Sequence, residues 1–195
     1  FRRVLFRSAR VHEAVAAEDP LLLLYNGDLH YGDIGTTVVE DYRAMIDAVL
    51  NHPKQGALFR SAPVAYMWDD HDYGGNSATK KSKTHEAARR AYEETVPHYP
   101  LADSAQAAPI YQSFTVGRVK FILTDLRSER DDPKKRDGSS KSMMGEEQKR
   151  WFKKELLSAN GRYPLICWVS TVPWIGENGK SPYARLKPDV YGYIH

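Results

Sequence analysis

The chain has 195 residues, of which 42% are hydrophobic and 27% are charged, a composition typical of globular proteins and not of disordered or collagen-like ones. Its 28 basic and 25 acidic residues nearly balance, which argues against a dedicated nucleic-acid binder because such proteins concentrate basic charge. The single cysteine, Cys167, excludes an internal disulfide framework and a cysteine-rich zinc site. No apolar run approaches the roughly 20 residues of a membrane-spanning helix.

Hydrophobic patterning and turn residues predict alternating helices and strands along the chain. In chain order, the predicted elements are a helix ending at residue 18, a strand at 21–25, a helix at 37–51, a strand at 64–68, a helix at 84–95, strands at 111–116 and 118–125, a helix at 145–159 and a strand at 165–170. Gly117, between two strands, predicts a hairpin. This order is typical of an α/β fold in which helices cover sheets.

Three of these elements carry more specific expectations. The continuous apolar runs at 21–25 and 64–68 predict buried strands. The helix at 145–159 is expected to bury four side chains: Trp151, Phe152, Leu156 and Leu157. Residues 171–195 are expected to be loop-like.

Acidic side chains collect directly after three of the predicted strands. Asp28 and Asp33 follow the first strand, residues 69–72 (Asp-Asp-His-Asp) follow the second, and Asp125 ends the fourth. Ligand sites of α/β sheets collect at these carboxyl ends. Several carboxylates in one cleft repel one another, and a cation offsets that repulsion. Oxygen ligands with one imidazole suit Mg, Ca, Mn, Fe or Zn, and a two-metal site can drive hydrolysis at phosphorus.

Each of these residues also has a simpler interpretation. Asp28 is compatible with an ordinary turn or helix cap, because Asn-Gly-Asp is common in turns. A loop tyrosine such as Tyr31 more often packs than ligates, and a lone histidine such as His71 is usually a satisfied surface or core residue. Arg127 could pair with a neighbouring acid, although its guanidinium fork also suits phosphate.

Five short motifs occur in a defined order along the chain. Residues 27–31 read Gly-Asp-Leu-His-Tyr and residues 68–72 read Trp-Asp-Asp-His-Asp. The other three are residues 125–128 (Asp-Leu-Arg-Ser), a helix start with Gly145, Gln148 and Trp151, and a later loop with Pro173-Trp174 and Asp189, Gly192 and Tyr193. Together they resemble the PhoD-like (alkaline phosphatase D) family of the calcineurin-like metallophosphoesterase superfamily. The first motif is also similar to the Gly-Asp-x-x-Tyr signature of purple acid phosphatases.

The resemblance implies a partial α/β/β/α sandwich that hydrolyses phosphomonoesters or phosphodiesters with a metal-bound hydroxide. It implies two or more metal ions, Fe(III) with Ca, Zn or Mn. Asp28 matches the carboxylate that bridges both metals, Tyr31 matches a phenolate ligand of the ferric ion, and Asp70 matches a ligand of the second metal.

The same resemblance implies three catalytic positions. His71 matches a histidine that protonates the leaving oxygen, Asp72 would orient its ring, and Arg127 would contact phosphate. The expected partner is a small phosphoester, with nucleic acid only as a substrate, and the family likeness suggests an exported protein.

Two family motifs have no match within the chain. The opening Asp-x-His motif and a cysteine ligand are missing before Asp28, and the closing Gly-Asp-x-His would fall beyond His195. We therefore expect residues 1–195 to be a single partial domain that is inactive in isolation, with residues 1–8 a non-native or disordered start.

Two other functions remain open at this point. One is a non-catalytic module that binds anionic partners through a basic stretch: Lys80, Lys81, Lys83, Arg89 and Arg90. The other is a nucleic-acid binder that uses the same stretch. The intact acidic residues at the strand ends favour the enzyme.

Overall fold

The computed structural model describes residues 9–101, 108–136 and 138–172, and within them the chain forms six helices and five strands. The helices are α1 Ala9–Ala17, α2 Val39–Leu50, α3 Gln55–Ser61, α4 Asp70–Tyr73, α5 His85–Thr95 and α6 Gly145–Ala159. The strands are β1 Leu23–Asn26, β2 Val64–Met67, β3 Gln112–Val116, β4 Val119–Leu123 and β5 Leu165–Val169. No helix of these described residues is long and apolar enough to cross a membrane.

The strands form two sheets. In the first sheet β1 and β2 are parallel, with Leu23 opposite Val64. In the second, β3 and β4 form an antiparallel hairpin and β5 lies parallel to β4. Gly117 occupies the hairpin turn with a φ of +56°, so the predicted hairpin is confirmed. Because β1 and β2 run in the same direction, the loops that follow them meet at one edge of the sheet.

One core cluster joins both sheets to the helices. Met67 of β2 and Leu123 of β4 belong to the same set of buried side chains, together with Tyr92 of α5. The hydroxyl group of Tyr92 donates a hydrogen bond of 2.8 Å to the carbonyl oxygen of Tyr66, which attaches α5 to β2. The first sheet thus lies between helices and the second sheet.

The opposite face of the second sheet packs against α6. The rings of Phe152 and Trp168 lie 4.8 Å apart, and Lys120 forms an ion pair of 2.7 Å with Glu155. Side chains alternate along a strand, so Lys120 faces α6 while its neighbour Phe121 packs against the core. The layers are therefore helix, sheet, sheet and helix, which confirms the partial α/β/β/α sandwich.

Two helices, α3 and α4, are absent from the predicted elements. Helix α3 has only seven residues, and α4 is a single turn with the sequence Asp-His-Asp-Tyr. Neither is long enough to show an apolar stripe with helical spacing. Both depend on their tertiary surroundings.

Two predicted burials are wrong. Leu21 is 93% exposed and precedes β1, which begins at Leu23. Leu157 is 76% exposed, whereas Trp151, Phe152 and Leu156 are half-buried. Leu157 lies five positions after Phe152, about 140° around the helix, and so leaves the face that packs on the sheet. The predictions for residues 1–8, for Pro173-Trp174 and for residues 189–193 lie outside the described residues.

Candidate metal centre

The two strand-end loops of the first sheet touch at Gly27. This residue follows β1 with a φ of +82°, a conformation that glycine adopts without strain. A Cβ atom placed on Gly27 would lie 2.4 Å from the Cβ atom of Asp69, which follows β2. Glycine therefore permits the close approach that brings Asp28 next to the Asp69-Asp70-His71 segment.

Asp28 is held in an unusual conformation beside this contact. Its φ of +53° lies in the left-handed region, which aspartate tolerates better than most residues. One carboxylate oxygen, Oδ2, accepts a hydrogen bond of 2.7 Å from the hydroxyl group of Tyr31. The other, Oδ1, is buried without a hydrogen-bond partner among the described residues. A buried carboxylate oxygen without a donor is unfavourable, and a cation would satisfy it.

Three potential metal ligands converge at this point. One donor atom from each of Asp28, Asp70 and His71 lies within 4.8 Å of the other two. Asp70 is buried and accepts hydrogen bonds from the backbone N–H groups of His71, at 3.0 Å, and Ser77, at 2.5 Å, which fix its carboxylate. Carboxylate oxygens with one imidazole form a donor set for hard or borderline metal ions. The structure thus brings two predicted ligands, Asp28 and Asp70, together and adds His71 to them.

Tyr31, the third predicted ligand, lies at the edge of this cluster. Its side chain is 44% exposed, and its ring centroid is 4.4 Å from that of His71. Burial and the hydrogen bond to Asp28 both raise the pKa of the Tyr31 phenol well above its usual value. In this state Tyr31 is a neutral donor to Asp28. A phenolate at this position would require a metal ion to displace its proton.

The ring of His71 is held by Asp33. Nδ1 of His71 lies 2.5 Å from Oδ1 of Asp33, a residue in the loop after β1. Partial burial lowers the pKa of His71, but the Asp33 hydrogen bond and the charges of Asp70, Asp28 and Asp33 outweigh it. The net result is a pKa above that of an ordinary histidine.

Asp72 does not contact the His71 ring, contrary to the role expected for it. Its carboxylate accepts hydrogen bonds from the backbone N–H groups of His30, at 3.2 Å, and Asp69, at 3.0 Å, and from the hydroxyl group of Tyr66. Burial raises the pKa of Asp72 to about 7, although these hydrogen bonds oppose the shift. His71 and Asp72 are consecutive in α4, so their side chains point in different directions.

Arg127 connects the second sheet to the same site. Its side chain is 1% exposed, its Nε donates a hydrogen bond of 2.6 Å to Asp69, and its Nη2 lies 4.0 Å from Oδ2 of Asp70. The pairing with a neighbouring acid, one of two open interpretations, is therefore what the structure shows. Burial raises the pKa of Asp69, whereas the charge and hydrogen bond of Arg127 lower it.

The chain is similar to known proteins in both sequence and structure. A family model described as PhoD-like phosphatase matches residues 7–175. The chain belongs to the PhoD-like phosphatase family. It is also similar to a solved structure titled "Structure of PhoD", with a TM-score of 0.72 and 21% sequence identity over 89% of this chain and 40% of that chain. The chain thus spans about 40% of the length of that solved relative. None of the curated proteins matches it.

The PhoD-like chain also contains site residues to which the sequence assigns no role. Asp33 contacts His71, and Ser77 fixes Asp70. The signal for Asp33 in the sequence is its position in the same strand-end loop as Asp28. Ser77 contributes a backbone N–H group, which has no signature in the sequence.

The basic surface expected for anionic partners is not continuous in this PhoD-like chain. Arg89 is 1% exposed and donates hydrogen bonds to Glu93 and to the carbonyl oxygen of Ala108. Its assignment to a surface is wrong, because it lies on the inward face of α5. Lys80 and Arg90 form ion pairs with acidic residues, Asp131 and Glu94 respectively. Among the described residues, these contacts give the non-catalytic module no support over the enzyme.

Proposed function

We propose that the protein that contains this chain hydrolyses phosphate esters at a metal site held by Asp28 and Asp70. One observation carries the proposal. At the carboxyl ends of two parallel strands, the donor atoms of Asp28, Asp70 and His71 lie within 4.8 Å of one another. Membership of the PhoD-like phosphatase family supports phosphoester hydrolysis as the reaction.

The residues present fit a metal ion. Buried Oδ1 of Asp28 has no donor among the described residues, and Asp28 and Asp70 bring two negative charges into one cleft. When bound, metal ions supply a Lewis acid that acidifies water and neutralises charge on the phosphoryl group. We propose two or more ions, Fe(III) with Ca, Zn or Mn, with Asp28 as the bridging ligand. Tyr31 would serve as a phenolate ligand, since its oxygen lies 2.7 Å from Asp28.

We propose that His71 takes part in proton transfer and that Arg127 compensates charge. His71 would donate a proton from Nε2 to the leaving oxygen of the ester, because Nδ1 is occupied by Asp33. Arg127 offsets the negative charge of Asp69 and lies near Asp70, which reduces the repulsion between these two carboxylates. A contact of Arg127 with phosphate stays a prediction. The substrate class is small phosphomonoesters or phosphodiesters.

The test uses the full-length protein and two substrates, 4-nitrophenyl phosphate and bis(4-nitrophenyl) phosphate. We expect turnover of at least one, loss of turnover on chelation, and metal in the purified protein by elemental analysis. Asp28→Asn should lower the rate by at least about a thousandfold and reduce the metal content.

Asp19→Asn is the matched control for this test. Asp19 also has a positive φ, of +48°, but follows α1 outside the strand-end loops. We expect it to retain wild-type rate and metal content. Near-normal activity of Asp28→Asn, or activity that survives complete metal removal, would contradict the proposal.

A further inference from the structure

One side of α6 carries basic side chains that have no acidic partner in the described part of the chain. Arg150, Lys153 and Lys154 are all exposed, and none of them forms an ion pair with a described carboxylate. Glu155, which follows Lys154 in the helix, forms its ion pair of 2.7 Å with Lys120 of β4 instead. The positive charges of this side of α6 are therefore not neutralised by their neighbours.

Two cations of the helices that cover the first sheet show the contrast. Lys54, directly before α3, forms an ion pair of 2.9 Å with Glu13 of α1. Arg90 of α5 forms an ion pair of 3.1 Å with Glu94 one turn later. Such pairs cancel charge at the surface, whereas unpaired cations create a positive potential that attracts an anionic partner.

The unpaired cations share one stripe of the helix surface with a leucine. At about 100° of rotation per residue, the four members of this α6 stripe lie within about 100° of one another: Arg150, Lys153, Lys154 and Leu157. Phe152, whose ring packs against Trp168 of β5, lies on the opposite side of the helix. The α6 stripe therefore faces away from the second sheet.

Acidic and basic side chains are separated along this side of α6. Glu146 and Glu147 are exposed in the first turn, where they complement the helix dipole. Arg118, in the turn between β3 and β4, and Arg162, in the loop after α6, are exposed beyond the other end of the helix. The first residues of β4 and β5 pair with each other, so both arginines lie at one edge of the second sheet. The positive surface thus continues from the α6 stripe towards this edge.

Leu157 distinguishes between the possible anionic partners. Its side chain is 76% exposed in the middle of the cations. A leucine gains little against the phosphates of a nucleic acid, but at a membrane it enters the boundary between headgroups and acyl chains while basic side chains contact the headgroups. The α6 stripe also offers no aromatic ring on which nucleic-acid bases could stack. These features favour a lipid surface.

We propose that the α6 stripe binds the surface of a membrane that contains anionic phospholipids. Its three cations would contact the phosphate groups of the lipids, and Leu157 would enter between the headgroups. The proposal goes beyond phosphoester hydrolysis and does not depend on it, because no residue of the stripe belongs to the candidate metal centre.

Co-sedimentation of the full-length protein with lipid vesicles tests the proposal. The probes are vesicles of phosphatidylcholine alone and vesicles of equal parts phosphatidylcholine and phosphatidylglycerol. We expect binding to the anionic vesicles only, and weaker binding as salt screens the charges. Each basic side chain near an anionic surface adds about fivefold in affinity, so replacing all three cations of the stripe by glutamine should weaken binding about a hundredfold.

A matched triple variant controls for net charge. Arg10→Gln, Lys54→Gln and Arg90→Gln together remove the same charge from helices α1 and α5 and from the residue before α3. This variant should bind the anionic vesicles like wild type. Thermal denaturation of each variant verifies that it is folded.

A second variant tests the apolar contact without any change of charge. Leu157→Gln should weaken binding to the anionic vesicles about three- to tenfold, because part of a leucine side chain then stays in water. Leu21→Gln, at a leucine that is 93% exposed before β1, is its control and should not alter binding.

Four results would overturn the proposal. They are no binding of wild type to the anionic vesicles, equal binding to both kinds of vesicle, equal losses in the two triple variants, and wild-type affinity of Leu157→Gln. Binding to a DNA duplex, but not to vesicles, that is weakened by loss of the three cations would assign the surface to nucleic acid instead.

Discussion

Asp72 accepts a hydrogen bond of 3.2 Å from the backbone N–H of His30, which lies 42 residues earlier in the chain. The same carboxylate caps its own helix through the backbone N–H of Asp69. One buried side chain thus fastens the loop after β1 to the loop after β2. The proposed metal ligands Asp28 and Asp70 follow the same two strands, so this contact lies between the segments that carry them.

We therefore predict that Asp72→Ala lowers both stability and metal affinity. The change leaves the buried N–H groups of His30 and Asp69 without an acceptor, at about 1–3 kcal/mol for each donor. Chemical denaturation and metal titration of the full-length protein measure the two effects. Asp47→Ala, at an exposed position of α2, is the control and should stay within about 0.5 kcal/mol of wild type. Wild-type metal affinity in Asp72→Ala would show that the loops hold their positions without it.

A second prediction concerns the close approach at Gly27. Gly27→Ala introduces both an unfavourable φ and a Cβ atom 2.4 Å from that of Asp69. Gly161→Ala is the matched control: its φ of +74° is similar, but nothing lies within 4 Å of the added atom. We expect about 1–2 kcal/mol of destabilisation for Gly161→Ala, from backbone conformation alone. Gly27→Ala should lose more stability and also metal binding, and equal effects of the two would rule out the steric explanation.

The third prediction concerns the buried ion pair between Arg127 and Asp69. Arg127→Met removes the partner of a largely buried carboxylate, and such a break costs about 3–5 kcal/mol. Asp69→Asn combined with Arg127→Met should restore part of that loss, since no charge is then left without its partner. Arg90→Met, at an exposed ion pair with Glu94, should cost less than about 1 kcal/mol. Thermal or chemical denaturation measures the stability of each variant. If Arg127→Met loses no more stability than Arg90→Met, the buried ion pair between Arg127 and Asp69 does not stabilise the protein as predicted.

The sequence predicts the strands and the main helices because continuous apolar runs and turn residues are local signals. It also predicts that Asp28 and Asp70 meet, since both follow strands of an α/β sheet. It does not predict how side chains within α4 diverge. The family resemblance implies that Asp72 orients His71, but adjacent residues on a helix point in different directions, and Asp33 makes the contact from another loop.

The burial of Arg89 is a second case of this limit. The sequence places it in a basic stretch, which is usually a solvated surface. The structure turns it inward on α5, where the carbonyl oxygen of Ala108 and the carboxylate of Glu93 accept its hydrogen bonds. The inward orientation of Arg89 depends on which segment packs against α5. That packing is a tertiary contact, and the local sequence carries no signal for it.

The last prediction concerns the acid side of the stability profile. Glu94 of α5 accepts two hydrogen bonds from Arg43 of α2, at 2.7 and 2.8 Å, and a third from Arg90. The hydrogen bonds from Arg43 and Arg90 lower the pKa of Glu94 to about 2. A carboxylate with a lowered pKa stabilises the folded state above its unfolded pKa, so this contribution is complete above about pH 4.5 and is lost as the pH falls towards 2.

Glu94→Gln should therefore flatten the fall of stability between pH 4.5 and 2, whereas Glu18→Gln, at an exposed position after α1, should leave the slope unchanged. Denaturation midpoints measured across this range test the prediction, and added salt should reduce the difference between wild type and Glu94→Gln because the network lies at the surface. An identical slope in the two proteins would mean that Arg43 and Arg90 do not hold Glu94 in solution.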